Sequence, residues 1–142
     1  MKVHELMTKR VVTVEMDDRL DVVYEIFRKS NFHHLLVVAD KKLLGVLTDK
    51  DLFRAISPRI GTNMQNEHDL ASLNKRVHQI MSRQLITINQ DQGVIEAIKL
   101  FNAKNVSCLP VLNNEQEWVG ILSWRDILKH IELLKGQAVV KK

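Results

Sequence analysis

The chain has 142 residues, 45% hydrophobic and 27% charged, enough for one domain or two small ones sharing a core, with the composition of a soluble globular protein. No stretch approaches the roughly 20 apolar residues of a membrane span, none resembles a secretory signal peptide, and the lone Cys108 excludes an internal disulfide framework. These features predict a cytoplasmic protein without a membrane partner. The net charge of +4 suits a small anionic ligand. The basic residues are scattered, however, without the basic face or basic–aromatic run that nucleic acid requires.

In chain order, Val3–Thr8 reads as a short helical turn leading into an extended Val11–Val14. Asp17 and Asp18 are N-cap candidates for a helix in which Leu20, Val23, Tyr24 and Phe27 follow the i, i+3, i+4, i+7 spacing of one buried stripe. Asn31 closes that helix. Leu35–Val38 is a strand, residues 39–42 a turn, and Leu43–Leu47 its hairpin partner. Asp49–Ile56 is a second helix, stopped by Pro58. Residues 57–74 form a polar linker with little periodicity.

The pattern then restarts. Val77–Ser82 answers Val3–Thr8 at an offset of 74, and Thr87, Asp91, Phe101, Asn105 and Val111 answer Thr13, Asp17, Phe27, Asn31 and Val37 at the same offset. One extra residue within Asn113–Glu117 moves the offset to 75, after which Gly120, Leu122 and Asp126 answer Gly45, Leu47 and Asp51. The second helical stripe is Val94, Ala97, Ile98 and Phe101. The chain is therefore an internal duplication: repeat 1 over 1–56, linker 57–74, repeat 2 over 75–134 and a tail over 135–142. The expected fold is α+β, two β-α-β-β-α repeats packed sheet to sheet about a pseudo-two-fold axis. Each repeat alone is small for independent stability. Two symmetric clefts would lie between them.

Two corners stand out, Gly45-Val-Leu-Thr48-Asp-Lys-Asp51 and Gly120-Ile-Leu-Ser123-Trp-Arg-Asp126. In each, a hydroxyl residue sits where a strand passes into a helix, and the aspartate three residues on can reach back to its amide, a capping box. The same groups offer amides that suit a phosphate and a carboxylate that suits a ribose diol. Other chemistry finds less support. His33 and His34 are adjacent and would point to opposite faces of a strand, His4 and His78 fall at duplicate positions in the opening turns, and the single cysteine has no C-x-x-C partner, so no metal site is expected. No G-x-S-x-G, Walker A or G-x-G-x-x-G is present, and Cys108 reads as a core thiol, so no catalytic residues are expected.

Met7-Thr8 and Met81-Ser82, the Thr13 and Thr87 strands, Leu109-Pro110-Val111 and the two corners together resemble a tandem pair of CBS domains, the Bateman module, over about residues 1–134. The arrangement is similar to small stand-alone bacterial CBS-pair proteins. The resemblance implies an adenosine-containing ligand, AMP, ADP, ATP or S-adenosylmethionine, with no required cofactor. Carried over by position, it places one site at Thr13, His34, Leu35, Thr48 and Asp51, and the other at Thr87, Cys108, Leu109, Ser123 and Asp126. The aspartates would hold ribose hydroxyls, and Thr48 and Ser123 would lie near ribose or phosphate. The sequence departs from the family pattern at Leu36, where a proline like Pro110 is frequent, and at Ser107 and Cys108, where a basic residue or histidine is frequent. His33 and His34 make the first site the better phosphate candidate, while Trp124 would cover a ligand or fill the second cleft.

The expected function is regulatory: ligand binding shifts the relation between the repeats and is transmitted to a protein partner acting in trans. The resemblance also implies a homodimer through the helices after each corner, with Leu128, Ile131, Leu133 and Leu134 extending one such surface. The alternative is a dimerising scaffold in which the corners are caps alone.

Overall fold

A computed structural model describes the backbone of residues 1–140 and the side chains of residues 1–135. The mixed α+β expectation is met by two compact units, each with its own three-stranded sheet. One unit comprises Val12–Leu85; the other comprises Met1–Val11 with the segment from Ile86 onward.

In the Val12–Leu85 unit, β1 (Thr13–Val14), β2 (His34–Ala39) and β3 (Lys42–Thr48) form a sheet in the order β1-β2-β3. β1 runs parallel to β2, with Thr13 opposite Leu36, and β2 is antiparallel to β3, with His34 opposite Thr48. Helix α2 (Leu20–Lys29) buries Leu20 and Val23 in a core with Val14, Leu35, Val37 and Leu47, the alternate residues of each strand. Helix α3 (Asp49–Ala55) adds Leu52. Neither Asp17 nor Asp18 caps α2, contrary to expectation: the N-cap is Arg19, without a side-chain bond, and Asp18 instead accepts the Glu15 amide at 2.8 Å.

The stretch 57–74 has structure of its own. Helix α4 (Glu67–Ala71) starts on an Asn66–Asp69 capping box, and the following 3-10 turn places Leu73 in the core. Asp69 is 6% exposed and accepts from the Ser57 hydroxyl at 2.7 Å and the Asn66 amide at 3.0 Å. The Ser57 bond, with the Asn66 bond behind it, holds this carboxyl below its usual range.

The other unit repeats the plan. β4 (Ile88–Asn89), β5 (Cys108–Leu112) and β6 (Trp118–Ser123) form a sheet in the order β4-β5-β6. Helix α5 (Val94–Ala103) and helix α6 (Trp124–Val140) follow β4 and β6. Its core gathers Val3, Ile88, Ala97, Leu109, Val111, Leu122 and Ile127. The expected tail continues as helix through Val140; Lys141 and Lys142 lie outside the described residues.

Sequence repeat and compact unit do not coincide, because each opening turn leaves its own repeat. Helix α1 (Val3–Leu6) docks in the second unit, where the Val3 amide donates to Gln92, the His4 amide to Gln90, and the Val94 amide to the Met1 carbonyl, at 2.9–3.0 Å. The Val77–Gln79 turn makes the same three bonds in the first unit, with Val77 to Asp18, His78 to Met16 and Leu20 to Lys75, again at 2.9–3.0 Å. Beyond each turn the chain pairs with a hairpin: Thr8 exchanges both backbone bonds with Ile121, and Ser82 with Val46. Gly45 and Gly120 lie under these crossings. A Cβ at Gly45 would stand 2.7 Å from the Ser82 carbonyl oxygen, and one at Gly120 would stand 2.7 Å from Met7 Sδ and 2.9 Å from the Thr8 carbonyl oxygen. Only glycine admits so close a backbone.

Candidate functional site

Both corners form as capping boxes. At the first, Thr48 ends β3 with extended backbone and accepts the Asp51 amide on Oγ1 at 3.1 Å, while Asp51 Oδ2 accepts the Thr48 amide at 3.0 Å. At the second, Ser123 Oγ accepts the Asp126 amide at 3.4 Å and Asp126 Oδ2 accepts the Ser123 amide at 2.9 Å.

Their surroundings differ. Asp126 Oδ2 also accepts the Ser123 hydroxyl at 3.2 Å, and its Oδ1 accepts the Thr8 hydroxyl at 3.2 Å. Three donors thus converge on one carboxylate, which has about four acceptor positions. Among the described residues Asp51 accepts a single bond, on Oδ2, and none on Oδ1. Beside it, His33 Nδ1 lies 2.9 Å from Asp49 Oδ2, and the Asp49 amide donates to the His33 carbonyl at 3.1 Å. The His33 ring is therefore already engaged by a carboxylate.

Strand register gathers the other candidates. Thr13 lies opposite Leu36 and His34 opposite Thr48, on the face of the sheet that Leu35, Val37 and Leu47 leave for the core. Thr13, His34 and Thr48 thus share one face, with Asp51 following on α3. Leu35 sits in the core at 0% exposure, so its side chain is committed to packing. In the second unit Cys108 pairs with Ser123, Leu109 is a core residue, and Thr87 immediately precedes β4. Burial pushes the Cys108 thiol up to about 12, which leaves almost no thiolate near neutrality. Trp124 is 48% exposed, with the Arg125 guanidinium 5.9 Å from its ring centre.

Thr8 is the residue that sequence reasoning missed. It is 118 positions from Asp126, and only the paired glycines at 45 and 120 hinted that another backbone crosses each hairpin.

The family model described as CBS domain matches residues 3–58 and 77–133. The chain belongs to the CBS-domain family, as a tandem pair. A CBS domain-containing protein of Dictyostelium discoideum is 35% identical over 128 residues, which cover 89% of this chain and 88% of that protein. Among solved structures, a CBS-domain pair in complex with 5′-methylthioadenosine and S-adenosylmethionine is 28% identical, with a TM-score of 0.72 over 96% of this chain and 98% of that one. Inosine-5′-monophosphate dehydrogenase of Methanocaldococcus jannaschii is 29% identical over 129 residues, but these are only 23% of that enzyme, so the likeness carries no claim to its activity. Among the described residues no helix is long and apolar enough to cross a membrane.

Proposed function

We propose that this CBS pair is a regulatory module that binds an adenosine-containing ligand and passes the binding event to a protein partner. The observation that carries the reading is the Asp51 corner: a carboxylate oxygen without a partner among the described residues, beside a hydroxyl and a helix start, in a chain 28% identical to a pair solved with two adenosyl compounds. Asp51 is the group for the ribose diol, with Thr48 nearest the ribose or phosphate and Thr13 and His34 bordering the base on the same sheet face. Leu35 and Leu109 contribute backbone alone, since their side chains pack inward. Thr87, Cys108, Ser123 and Asp126 form the corresponding set in the second unit. AMP, ADP, ATP and S-adenosylmethionine are the candidate ligands. A homodimer in the cytoplasm, binding its partner in trans, completes the proposal. A coupling of about 1–3 kcal/mol between ligand and partner suffices for regulation.

Thermal unfolding with each of the four ligands at millimolar concentration tests this. A ligand at 100 times its dissociation constant adds about 2.7 kcal/mol, which is a rise of several degrees for a domain of this size. The reading predicts a rise with at least one ligand, lost in Asp51→Asn. No rise with any of the four would favour a dimerising scaffold whose corners act only as caps.

A further inference from the structure

We propose that the Thr8 hydroxyl is an internal occupant of the Asp126 carboxylate, and that it holds the second corner closed to ligand while the first stays open. The inference rests on the adenosyl reading of the corners. A ribose diol binds a carboxylate by donating hydroxyl hydrogens to it. Thr8 already makes that kind of bond, to Oδ1 at 3.2 Å, while Ser123 supplies two donors to Oδ2. With three of about four acceptor positions taken, a diol that donates both hydroxyls to Asp126 must displace a formed bond; at Asp51 it need not.

The hydroxyl is well held. Thr8 exchanges backbone bonds of 2.8 and 3.0 Å with Ile121, two residues before Ser123. Gly120 lets the crossing chain approach closely enough that a Cβ there would meet the Thr8 carbonyl oxygen at 2.9 Å. The branched Cβ of threonine further restricts χ1, so displacement requires rotation of a stiff side chain or loss of the strand pairing.

The duplicated position provides the contrast. Ser82 exchanges equivalent bonds of 2.9 and 3.0 Å with Val46, yet among the described residues its hydroxyl makes no bond to Asp51. Serine lacks the methyl group that stiffens Thr8, and Ser82 is exposed to solvent. One methyl at matching positions thus separates an occupied corner from an open one.

The test is calorimetric titration of the full chain with AMP, ADP, ATP and S-adenosylmethionine. The wild type is expected to take one equivalent, lost in Asp51→Asn. Thr8→Val keeps the branched shape and the backbone pairing but removes the hydroxyl; it is expected to gain a second equivalent, tightened at least about tenfold, as loss of one competing bond to a charged group implies. Ser82→Thr places the stiff hydroxyl at the first corner and is expected to weaken the first equivalent, an arm that does not depend on the folding of Thr8→Val. Two equal equivalents in the wild type, or one unchanged equivalent in a folded Thr8→Val with Ser82→Thr also unchanged, would overturn the Thr8 assignment while leaving the adenosyl reading standing. Absence of binding by the wild type and by Thr8→Val alike would overturn both.

Discussion

The two units share a frame and differ in polar detail. At the helix start, among the described residues, Asp126 takes three donors where Asp51 takes one: Thr8, which stands where the other unit has Ser82, adds one, and the Ser123 hydroxyl adds the other. At the sheet, Leu36 donates its amide to the Val12 carbonyl at 3.3 Å and β1 begins at Thr13. Pro110 occupies the matching place in β5 and has no amide to give, and β4 begins only at Ile88. Thr13 is therefore fixed by strand pairing while Thr87 precedes its strand. A proline in a central strand usually costs a ladder bond; here the short β4 leaves none to lose. Duplication preserved what packs, and single substitutions decided which polar groups remain open.

The comparison is most severely strained where a backbone crosses each hairpin. Gly45→Ala and Gly120→Ala should each lose about 1–3 kcal/mol, the range for forcing an extra carbon into a packed site, measured as lowered urea midpoints. Gly45→Ala should cost more. Its nearest clash, at 2.7 Å, is a carbonyl oxygen, whereas the nearest atom at Gly120 is the flexible Met7 sulfur. Equal losses would mean that the Thr8 crossing is as rigid as the Ser82 crossing.

The caps should give smaller, unequal effects. Thr48→Ala is expected to cost about 1 kcal/mol by thermal unfolding. Ser123→Ala should cost less, because its bond to the Asp126 amide is longer, 3.4 Å against 3.1 Å, and Asp126 keeps the Ser123 amide and Thr8. The smallest effect is acid dependence peculiar to the first unit. The Asp69 carboxyl lies below its ordinary 3.8, so its stabilisation is complete above that pH and is lost as pH falls through the lower folded value. The wild type should therefore lose melting temperature more steeply than Asp69→Asn below pH 3.8. Parallel curves would remove Asp69 from the account.

Much of this was legible in the chain. The stripes at Leu20–Phe27 and Val94–Phe101, the hairpins and both corners could be read because burial imposes periodicity and caps follow fixed spacing. Helix α4 was not, being five residues long with no apolar stripe; its Asn66–Asp69 spacing was the available signal. The N-cap of α2 misled because two aspartates precede it, and Asp18 spends its carboxylate on the Glu15 amide. The exchange of opening turns regroups the chain in space, so the packed body is Val12–Leu85 and not the expected repeat over 1–56. At the candidate site, the capping spacing of both corners was readable, but the bond from Thr8 to Asp126 comes from the far end of the chain and left no local signal.

The most direct test of the account is to follow the backbone amides of Asp51 and Asp126 by NMR while AMP or S-adenosylmethionine is titrated into the full chain. The account predicts that the Thr48–Asp51 amides shift first and saturate at the lower ligand concentration, with Ser123–Asp126 following only at higher concentration or after Thr8→Val. Simultaneous saturation of both corners, or movement at Ser123–Asp126 first, would contradict it.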